Sequence, residues 1–285
     1  MRVFFGVLFF LILSFYNAQS GRVFDQLTLD SKILKGERKY AIYLPPDYES
    51  SKRDYPILYL LHGAGDDHTG WVQYGEVLQI ADKEINVGNS TSMIIVMPDA
   101  QTGKKGYFNS FSEKWNYEDY FFNEFIPFIE KKYRVKSEKK YRAIAGLSMG
   151  GGGSFVYALH HPEMFASACP LSAYLGELDF DSFYASFLKN QKDVNKERLL
   201  DYFKNHNVIS LITTGDVQKI NSVRWYIDCG DDDYLFEGNS LVHISMRKRN
   251  IKHEYRVRDG KHNWTYWRAS LSDVLIFVSK GFRRS

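Results

Sequence analysis

A serine lies among glycines in residues 146–150, GLSMG, directly after the apolar run of residues 141–145. A turn between a strand and a helix can be so tight that a Cβ at Gly146 or Gly150 would collide with neighbouring backbone. The serine is then strained, its Oγ is exposed, and the first N–H groups of the helix face developing negative charge. The pattern predicts a nucleophile elbow with Ser148 as the nucleophile, and a flexible glycine loop is the alternative.

A serine nucleophile needs a histidine base, and the histidine needs an acid that orients it. With a nucleophile elbow, the acid and then the histidine follow the serine along the chain. The histidines well beyond the helix after Ser148 are His206, His243, His253 and His262. Only His262 falls in a turn between the last predicted strand and the last predicted helix, from which a side chain can return to the serine. We therefore predict His262 as the base.

The acid is expected after the predicted strand of residues 223–229, where Asp231, Asp232 and Asp233 are consecutive. Three adjacent aspartates cannot all point inward. We predict Asp233 as the acid because residues 234–236, YLF, then re-enter the core, and Asp232 is the alternative. A calcium loop would need alternating ligands, and that spacing is absent.

Acyl transfer also requires N–H donors for the oxyanion of the tetrahedral intermediate. We predict the backbone N–H of Met149, the residue after the nucleophile, and that of Ala64, in the small-residue loop after an early strand. His62 in the same loop, together with His68, could suggest a metal site, but no third ligand of suitable spacing accompanies them. We therefore expect His62 to be structural and no metal to be bound.

The elements that must position these residues alternate along the chain. Apolar, β-branched or aromatic runs predict strands at residues 40–44, 57–61, 93–97, 141–145, 166–171, 223–229 and 253–257. Helical spacing of apolar residues predicts helices over residues 122–133 and 267–278. Strands that alternate with helices need crossover connections, so we predict an α/β fold with a mainly parallel sheet and helices on both faces.

Two stretches depart from this alternation. The polar, proline-bounded residues 45–56 predict a hairpin-like antiparallel start to the sheet. Residues 176–222 form a long insertion that includes a charged helical stretch, residues 190–205, and either a lid or a solvated excursion fits its length. Because no repeat or linker divides the rest, we predict one domain over residues 21–285.

Residues 1–20 have the composition of a secretory signal peptide. Arg2 is the only charge, and the apolar run Val3 to Phe15 is short for a membrane span and precedes small residues that allow cleavage after Ala18 or Ser20. No cysteine follows that could carry a lipid. We expect a secreted or periplasmic protein without stable membrane insertion after cleavage, and an uncleaved amino-terminal anchor is the alternative.

Charge and cysteine content exclude other classes. The 285 residues include 37 basic and 34 acidic side chains, so the chain has no compositional support for binding nucleic acid. Two cysteines, Cys169 and Cys229, are too few for a disulfide scaffold. Both lie in strand-like runs, so we expect buried free thiols, with a single bridge as the alternative.

Four segments carry a family resemblance: LLHGAGDDHTGW, GLSMGGGGSF, YIDCGDDDYLFEGN and DGKHNWTYW. In this order they resemble the signature regions of the esterase D-like family, and most of all carbohydrate esterase family 1, which includes feruloyl and acetyl xylan esterases. The resemblance covers the chain from about residue 24 to the last helix. It implies an α/β-hydrolase fold and a serine esterase mechanism without a cofactor. It places the nucleophile on Ser148, the acid on Asp233, the base on His262 and the oxyanion donors on Ala64 and Met149.

An exported member of this family is expected to release ferulic or related hydroxycinnamic acids from plant cell-wall xylan. Trp71 and Trp264, beside the motifs, are the aromatic residues that we predict to contact the substrate, and Trp115 and Trp267 are further aromatic residues near the motifs. Core packing is the alternative for each tryptophan, above all for Trp267 on the apolar face of the last helix.

Several alternatives share the catalytic residues. An acetyl xylan esterase would differ only in the size of its pocket, and an exported acyltransferase would use a sugar as acceptor in place of water. An S-formylglutathione hydrolase acts in the cytosol, which the predicted signal peptide disfavours. From another class, a catalytically inactive carbohydrate-binding module would have no need of a strained serine.

Overall fold

A computed structural model describes residues 20–100, 106–189 and 194–283. Its strands are β1 Arg22–Ser31, β2 Gly36–Leu44, β3 Ile57–Leu61, β4 Ile94–Pro98, β5 Arg142–Leu147, β6 Ser167–Leu171, β7 Arg224–Gly230 and β8 His253–Arg258. They form one sheet in the order β1-β2-β4-β3-β5-β6-β7-β8. β1 and β2 pair antiparallel, as do β2 and β4, and the remaining neighbours are parallel.

Helices cover both faces of this sheet. They are α1 Gly70–Gln73, α2 Val77–Asn86, α3 Tyr117–Tyr120, α4 Ile126–Lys132, α5 Met149–His160, α6 Phe180–Leu188, α7 Lys196–His206, α8 Val208–Thr214, α9 Val217–Asn221, α10 Phe236–Lys248 and α11 Trp264–Arg283. A π-helical turn, Phe121–Phe125, joins α3 to α4, and a 3₁₀ turn, Lys139–Tyr141, precedes β5. Side chains of α2 and α11 form the core on one face, and side chains of α4, α5, α8 and α10 form it on the other. The predicted α/β class, with a mainly parallel sheet, is confirmed.

All predicted strands are present, and β1 is the strand that the sequence pattern missed. Its sequence, RVFDQLTLDS, has no continuous apolar run, and residues 22–30 alternate between exposed and half-buried positions. A register shift between Phe24 and Leu27 also breaks its alternation. The predicted helix at residues 122–133 is the π-helical turn followed by α4. A π-turn is wider than an α-helical turn, and the apolar spacing does not distinguish the two.

The prediction that residues 45–56 form the antiparallel, hairpin-like start of the sheet is wrong. The hairpin joins β1 to β2 through the short turn at residues 32–35. Residues 45–56 instead connect β2 to β3, and β4 lies between those two strands in the sheet. The proline-bounded loop is therefore a crossing to the parallel part of the sheet.

The insertion at residues 176–222 contains α6, α7, α8 and α9. The charged stretch predicted at residues 190–205 corresponds to α7, which begins only at Lys196, and residues 190–193 lie outside the described part. Leu199 and Phe203 of α7 are buried, and Phe203 packs against Phe183 of α6 with ring centroids 5.2 Å apart. The helical pair therefore has an apolar interface of its own.

Cys169 in β6 and Cys229 in β7 are buried free thiols, as expected, and burial raises the pKa of both. Residues 1–19 of the predicted signal peptide, residues 1–20, lie outside the described part of the chain. Among the residues that the structure does describe, no helix combines the length and the apolar character needed to cross a membrane.

Candidate active site

Ser148 occupies the tight turn between β5 and α5. Its backbone has φ 52° and ψ −116°, a conformation that a residue with a side chain rarely adopts. A Cβ at Gly146 would lie 2.5 Å from Gly150 O, and a Cβ at Gly150 would lie 2.6 Å from Leu61 O. Real Cβ atoms do not approach backbone oxygens so closely, so glycine is required on both sides of the serine. The strained turn predicted from the motif is thus present, and the flexible loop is not.

The glycines after the motif have a packing role that the motif does not include. A Cβ at Gly151 would meet Leu171 O at 2.7 Å, and a Cβ at Gly152 would meet Tyr174 O at 2.2 Å. The first turns of α5 therefore lie directly against the chain that leaves β6. The N–H of Tyr174 in turn donates to Ser148 O at 2.9 Å, which fixes that chain beside the serine.

The structure brings together the three side chains predicted for the catalytic triad. His262 Nε2 lies 3.0 Å from Ser148 Oγ, and His262 Nδ1 lies 2.9 Å from Asp233 Oδ2 and 3.0 Å from Oδ1. The carboxylate of Asp233 is fully buried, while the imidazole keeps 14% of its surface exposed. Because Nδ1 faces a carboxylate, it carries the proton, and Nε2 is left to accept the hydrogen bond from the serine hydroxyl.

Asp233 is held by donors besides the histidine. Leu235 N–H donates to Asp233 Oδ1 at 2.8 Å, and the Ser172 hydroxyl also binds the carboxylate. Burial opposes ionisation, but the hydrogen bonds from His262, Leu235 and Ser172 outweigh it and hold the pKa of Asp233 below its usual value. The side chain is therefore a carboxylate throughout the neutral range.

The two neighbouring aspartates face solvent. Asp231 Oδ1 accepts the N–H of Gly260 at 3.1 Å, and the N–H of Asp232 donates to Gly260 O at 3.1 Å. These contacts close the turn between β7 and the loop that carries His262. Among the three aspartates, Asp233 rather than the alternative Asp232 contacts the histidine.

Ser172 and Tyr174 lie in the site, although the sequence analysis did not identify them. Ser172 follows β6 with φ 43°, is fully buried, and its hydroxyl accepts a hydrogen bond from Trp267 Nε1 at 3.0 Å. The indole of Trp267 also packs edge-on against the His262 ring, with centroids 4.8 Å apart. β6 is parallel and adjacent to β5, so the residues that follow β6 lie at the same end of the sheet as Ser148. This placement could have indicated Ser172 and Tyr174 as residues of the site.

The predicted oxyanion donors come from the two segments that meet at Ser148. Met149 is the first residue of α5, so its N–H belongs to the group that a helix leaves without an intrahelical partner. Ala64 follows Gly63 in the loop after β3, and a Cβ at Gly63 would lie 3.5 Å from Ser148 Cβ. The loop therefore packs directly against the serine, with Ala64 exposed beside it.

The buried His62 holds the loop after β3 in place through both of its ring nitrogens. Its Nε2 accepts the N–H of Ala100 at 3.0 Å, and its Nδ1–H donates to Gly63 O at 2.9 Å. Burial lowers the pKa of His62, which keeps the ring neutral in this pattern. Both ring nitrogens are thus engaged in structural bonds. Across the described residues, no group of three or more His, Cys, Asp and Glu side chains is arranged to hold a metal ion.

The prediction that Trp71 contacts the substrate is wrong. The Trp71 side chain is fully buried, and its Nε1–H donates to Leu61 O at 3.0 Å, so the indole supports the loop rather than lining the site. Trp115 and Trp267 are also core residues, with 7% and 6% exposure. Trp264 differs, because it is partly exposed and lies beside Tyr74, with ring centroids 5.9 Å apart.

A buried ionic network supports the elements that carry the acid and the base. Asp228 in β7 is fully buried; its Oδ2 accepts from Arg258 Nη2 of β8 at 2.5 Å and from the Tyr226 hydroxyl at 2.8 Å. Its Oδ1 accepts from the hydroxyl of Tyr266 in α11. Burial raises the pKa of Asp228, partly offset by these donors. The network ties β7, β8 and α11 together directly behind the loops of Asp233 and His262.

Two cavities adjoin the segments that surround Ser148, one at α5 and one at the loop after β3. One, of about 160 Å³, is mainly apolar and is lined by residues that include Phe108, Gly152, Val156, Tyr174, Leu175, Phe183, Phe203 and Val208. The other, of about 470 Å³, is mainly polar and begins at Ala64. The site thus separates an apolar side, next to the start of α5, from a polar side, next to the loop after β3.

A strained serine at the start of a helix, hydrogen-bonded to a histidine from the last βα loop of a mainly parallel sheet, defines an α/β-hydrolase. The family model described as "Putative esterase" matches residues 31–278. The chain belongs to this esterase family.

Two curated proteins share sequence with this chain. An esterase of Mycobacterium tuberculosis is 39% identical over 247 residues, which are 78% of this chain and 51% of that protein. An endo-1,4-beta-xylanase/feruloyl esterase of Xylanibacter ruminicola is 34% identical over 159 residues, which are 54% of this chain and 21% of that protein. The chain therefore spans about half of the first relative and about a fifth of the second.

Solved structures share the fold over nearly the whole chain. A ferulic acid esterase has a TM-score of 0.82 and 35% identity, and the match covers 92% of this chain and 99% of that one. A ferulic acid esterase from Anaeromyces mucronatus, solved in complex with ferulic acid, has a TM-score of 0.71 and 18% identity, with 94% of each chain covered. The second likeness is one of fold alone. Together with the family match, the first likeness shows that the chain is an esterase that resembles ferulic acid esterases.

Proposed function

We propose that this esterase uses Ser148, His262 and Asp233 to hydrolyse esters of ferulic or related hydroxycinnamic acids on plant cell-wall xylan. The observation that carries the proposal is the continuous hydrogen-bonded chain from Ser148 Oγ through His262 to the buried Asp233 carboxylate. A strained serine joined to a base and an acid in this way is suited to acyl transfer.

In the first step, Ser148 Oγ attacks the ester carbonyl carbon while His262 Nε2 accepts the hydroxyl proton. The buried Asp233 carboxylate stabilises the imidazolium that forms, because its pKa is held low and it stays ionised. The tetrahedral intermediate collapses, the C–O bond to the sugar breaks, and the sugar oxygen takes the proton from His262. Water then attacks the acyl-enzyme, gives its proton to His262, and the acid leaves as Ser148 recovers its hydroxyl.

The N–H groups of Ala64 and Met149 are the proposed donors to the oxyanion. The helix position of Met149 and the packing of the loop of Ala64 against Ser148 support this role. Donors that are fixed before the reaction stabilise the charge as it develops and need no reorganisation at that moment.

The apolar cavity supports an aromatic acyl group. It begins at Gly152, one helical turn after Ser148, and at Tyr174, whose N–H is bonded to Ser148 O. An aromatic ring gains by leaving water for such a cavity, whereas an acetyl group would bury little of it. The names of the xylanase/feruloyl esterase relative and of the ferulic acid esterase structures agree with this choice.

We also propose that the protein is exported with cleavage after Ala18 or Ser20. The apolar run Val3 to Phe15 and the small residues after it support export, and the polymeric substrate lies outside the cell. The intact mass of the protein recovered after export tests this proposal: a chain that starts at Gln19 or Gly21 is expected, and retention of Met1 would contradict it.

The substrate class is tested by acid release from methyl ferulate, feruloylated arabinoxylan and acetylated xylan, with Ser148→Ala as the control. We expect ferulate from the first two substrates and no activity from the variant. Release of acetate alone would retain the mechanism and contradict the acyl group. Transfer of the acyl group to added sugar in preference to water would instead identify an acyltransferase.

A further inference from the structure

A polar groove leads from the proposed oxyanion loop to two aromatic rings. The cavity of about 470 Å³ that we call the 64–74 groove is lined by Ala64, Gly65, Asp66, Asp67, Thr69, Gln73, Tyr74 and Trp264. Because Ala64 is the proposed donor to the oxyanion, any group at that end of the groove lies beside the ester carbonyl. The groove can therefore hold the part of the substrate that is joined to the reacting ester.

The far end of the groove is an aromatic platform. Tyr74 is 53% exposed, and its ring lies 5.9 Å from that of Trp264 at an interplanar angle of 37°. The Trp264 ring is supported by the buried Trp71, which packs edge-on against it at 5.2 Å, and Arg268 donates to the backbone carbonyl of Tyr74 at 2.9 Å. The Trp264 ring and the backbone that carries Tyr74 are thus in place before a ligand arrives, which limits the conformational entropy lost on stacking.

The floor of the groove carries fixed hydrogen-bond acceptors. Asp67 Oδ1 accepts both the N–H and the hydroxyl of Thr69 at 2.7 Å, and Asp66 Oδ1 accepts the N–H of Asp67 at 2.9 Å. The residues that line the groove include these two carboxylates and neither lysine nor arginine. An anionic group is disfavoured there by charge, while a neutral ligand with several hydroxyl donors is favoured.

We propose that the 64–74 groove binds the sugar of the alcohol half of the ester, with a neutral pyranose ring stacked on Tyr74 and Trp264 and its hydroxyls donating to Asp66 and Asp67. This assignment rests on the proposed function. It gives the substrate a direction at Ser148, because the separate apolar cavity at Gly152 and Tyr174 takes the acyl group. Aromatic faces suit the C–H surface of a sugar ring, and carboxylates suit its hydroxyls.

The specificity ratio tests the groove. For Tyr74→Ala we compare kcat/KM for a feruloylated arabinoxylan oligosaccharide with kcat/KM for methyl ferulate, whose alcohol has no sugar. We expect the ratio of the two to fall about fivefold or more, from the lost stacking. The matched control is Tyr141→Ala, at the opposite end of β5 from Ser148, which should keep the wild-type ratio. An unchanged ratio in Tyr74→Ala would overturn the proposal.

A binding measurement separates this proposal from the proposed function. Unesterified arabinoxylan oligosaccharide is titrated into Ser148→Ala and followed by tryptophan fluorescence and calorimetry. Adding Tyr74→Ala should weaken binding about fivefold, and adding Tyr141→Ala should not. If the wild-type enzyme releases no ferulate, the proposed function fails. The titration then still tests whether the 64–74 groove binds the sugar. No binding by Ser148→Ala, or equal binding with and without Tyr74, would overturn the proposal.

Discussion

At the scale of single residues, reactivity depends on the protonation of one imidazole. Nδ1 of His262 must carry the proton so that Nε2 can take another from Ser148 Oγ, and only an acceptor at Nδ1 enforces this tautomer. Asp233 provides that acceptor with both oxygens, and the N–H of Leu235 keeps the carboxylate in place. An isosteric substitution of Asp233 can therefore disturb the tautomer of His262 while the side chain keeps its shape.

Asp233→Asn should lower kcat by about 10⁴-fold, because the amide NH₂ can face Nδ1 and favour the wrong tautomer of His262. Steady-state kinetics on methyl ferulate measures this loss. Asp232→Asn is the matched control, since Asp232 is exposed and lies outside the hydrogen-bonded chain; it should change kcat less than twofold. Equal losses in the two variants would rule out the assignment of the acid.

At the scale of elements, His160 joins the catalytic helix to the insertion. It lies at the end of α5; its Nδ1 is 2.7 Å from Glu118 Oε1 of α3, and its Nε2 is 2.6 Å from Asn205 O of α7. Burial opposes a charge on His160, but Glu118 and the carbonyl of Asn205 raise its pKa above the usual value. Burial likewise opposes ionisation of Glu118, but hydrogen bonds from His160 and His161 lower its pKa to about 2.

These shifts predict a pH dependence of stability. The raised pKa of His160 stabilises the fold below about pH 6.5 and is lost as pH rises through the folded-state value. The lowered pKa of Glu118 stabilises the fold above about pH 4.3 and is lost as pH falls toward 2. The contribution of this pair to the free energy of unfolding should therefore be greatest between these limits.

Glu118→Gln should reduce the free energy of unfolding by about 1.5–3 kcal/mol near pH 5.5, because a charged hydrogen bond between largely buried groups is lost. Urea unfolding at several pH values should also show a smaller decline between pH 6 and 8 than in the wild type. Glu163→Gln, at an exposed carboxylate beside His161, is the control and should retain the wild-type slope. Identical slopes in all three proteins would contradict the role of this pair.

At the scale of the whole molecule, the sequence could predict the strands of the parallel part of the sheet, but not their order in it. It could also predict the triad side chains, since the apolar runs at residues 57–61, 141–145, 223–229 and 253–257 each end in a recognisable motif. Ser148, Asp233 and His262 could be predicted because the elbow glycines and the chain order restrict the choice. Strand β1 could not, because a half-exposed edge strand with a register shift has no apolar run. The burial of Trp71 and the contacts of Ser172 depend on chain segments distant in sequence.

The Asp228 network is a further feature of the whole fold that no local pattern reveals. Asp228→Ala should lower the free energy of unfolding by about 3–5 kcal/mol, because it leaves Arg258 and the hydroxyls of Tyr226 and Tyr266 without their buried acceptor. Denaturant unfolding measures the loss. Asp231→Ala, in the exposed turn, is the comparison and should cost far less; equal losses would contradict the structural role of the network.

The most direct test of the central claim is the intact mass of the protein milliseconds after mixing with excess methyl ferulate, followed by peptide mapping of the quenched protein. A feruloyl group on Ser148 is predicted, formed before steady-state ferulate release and absent from Ser148→Ala. Release of ferulate by Ser148→Ala at the wild-type rate, or an adduct on another residue, would contradict the claim that Ser148 is the nucleophile.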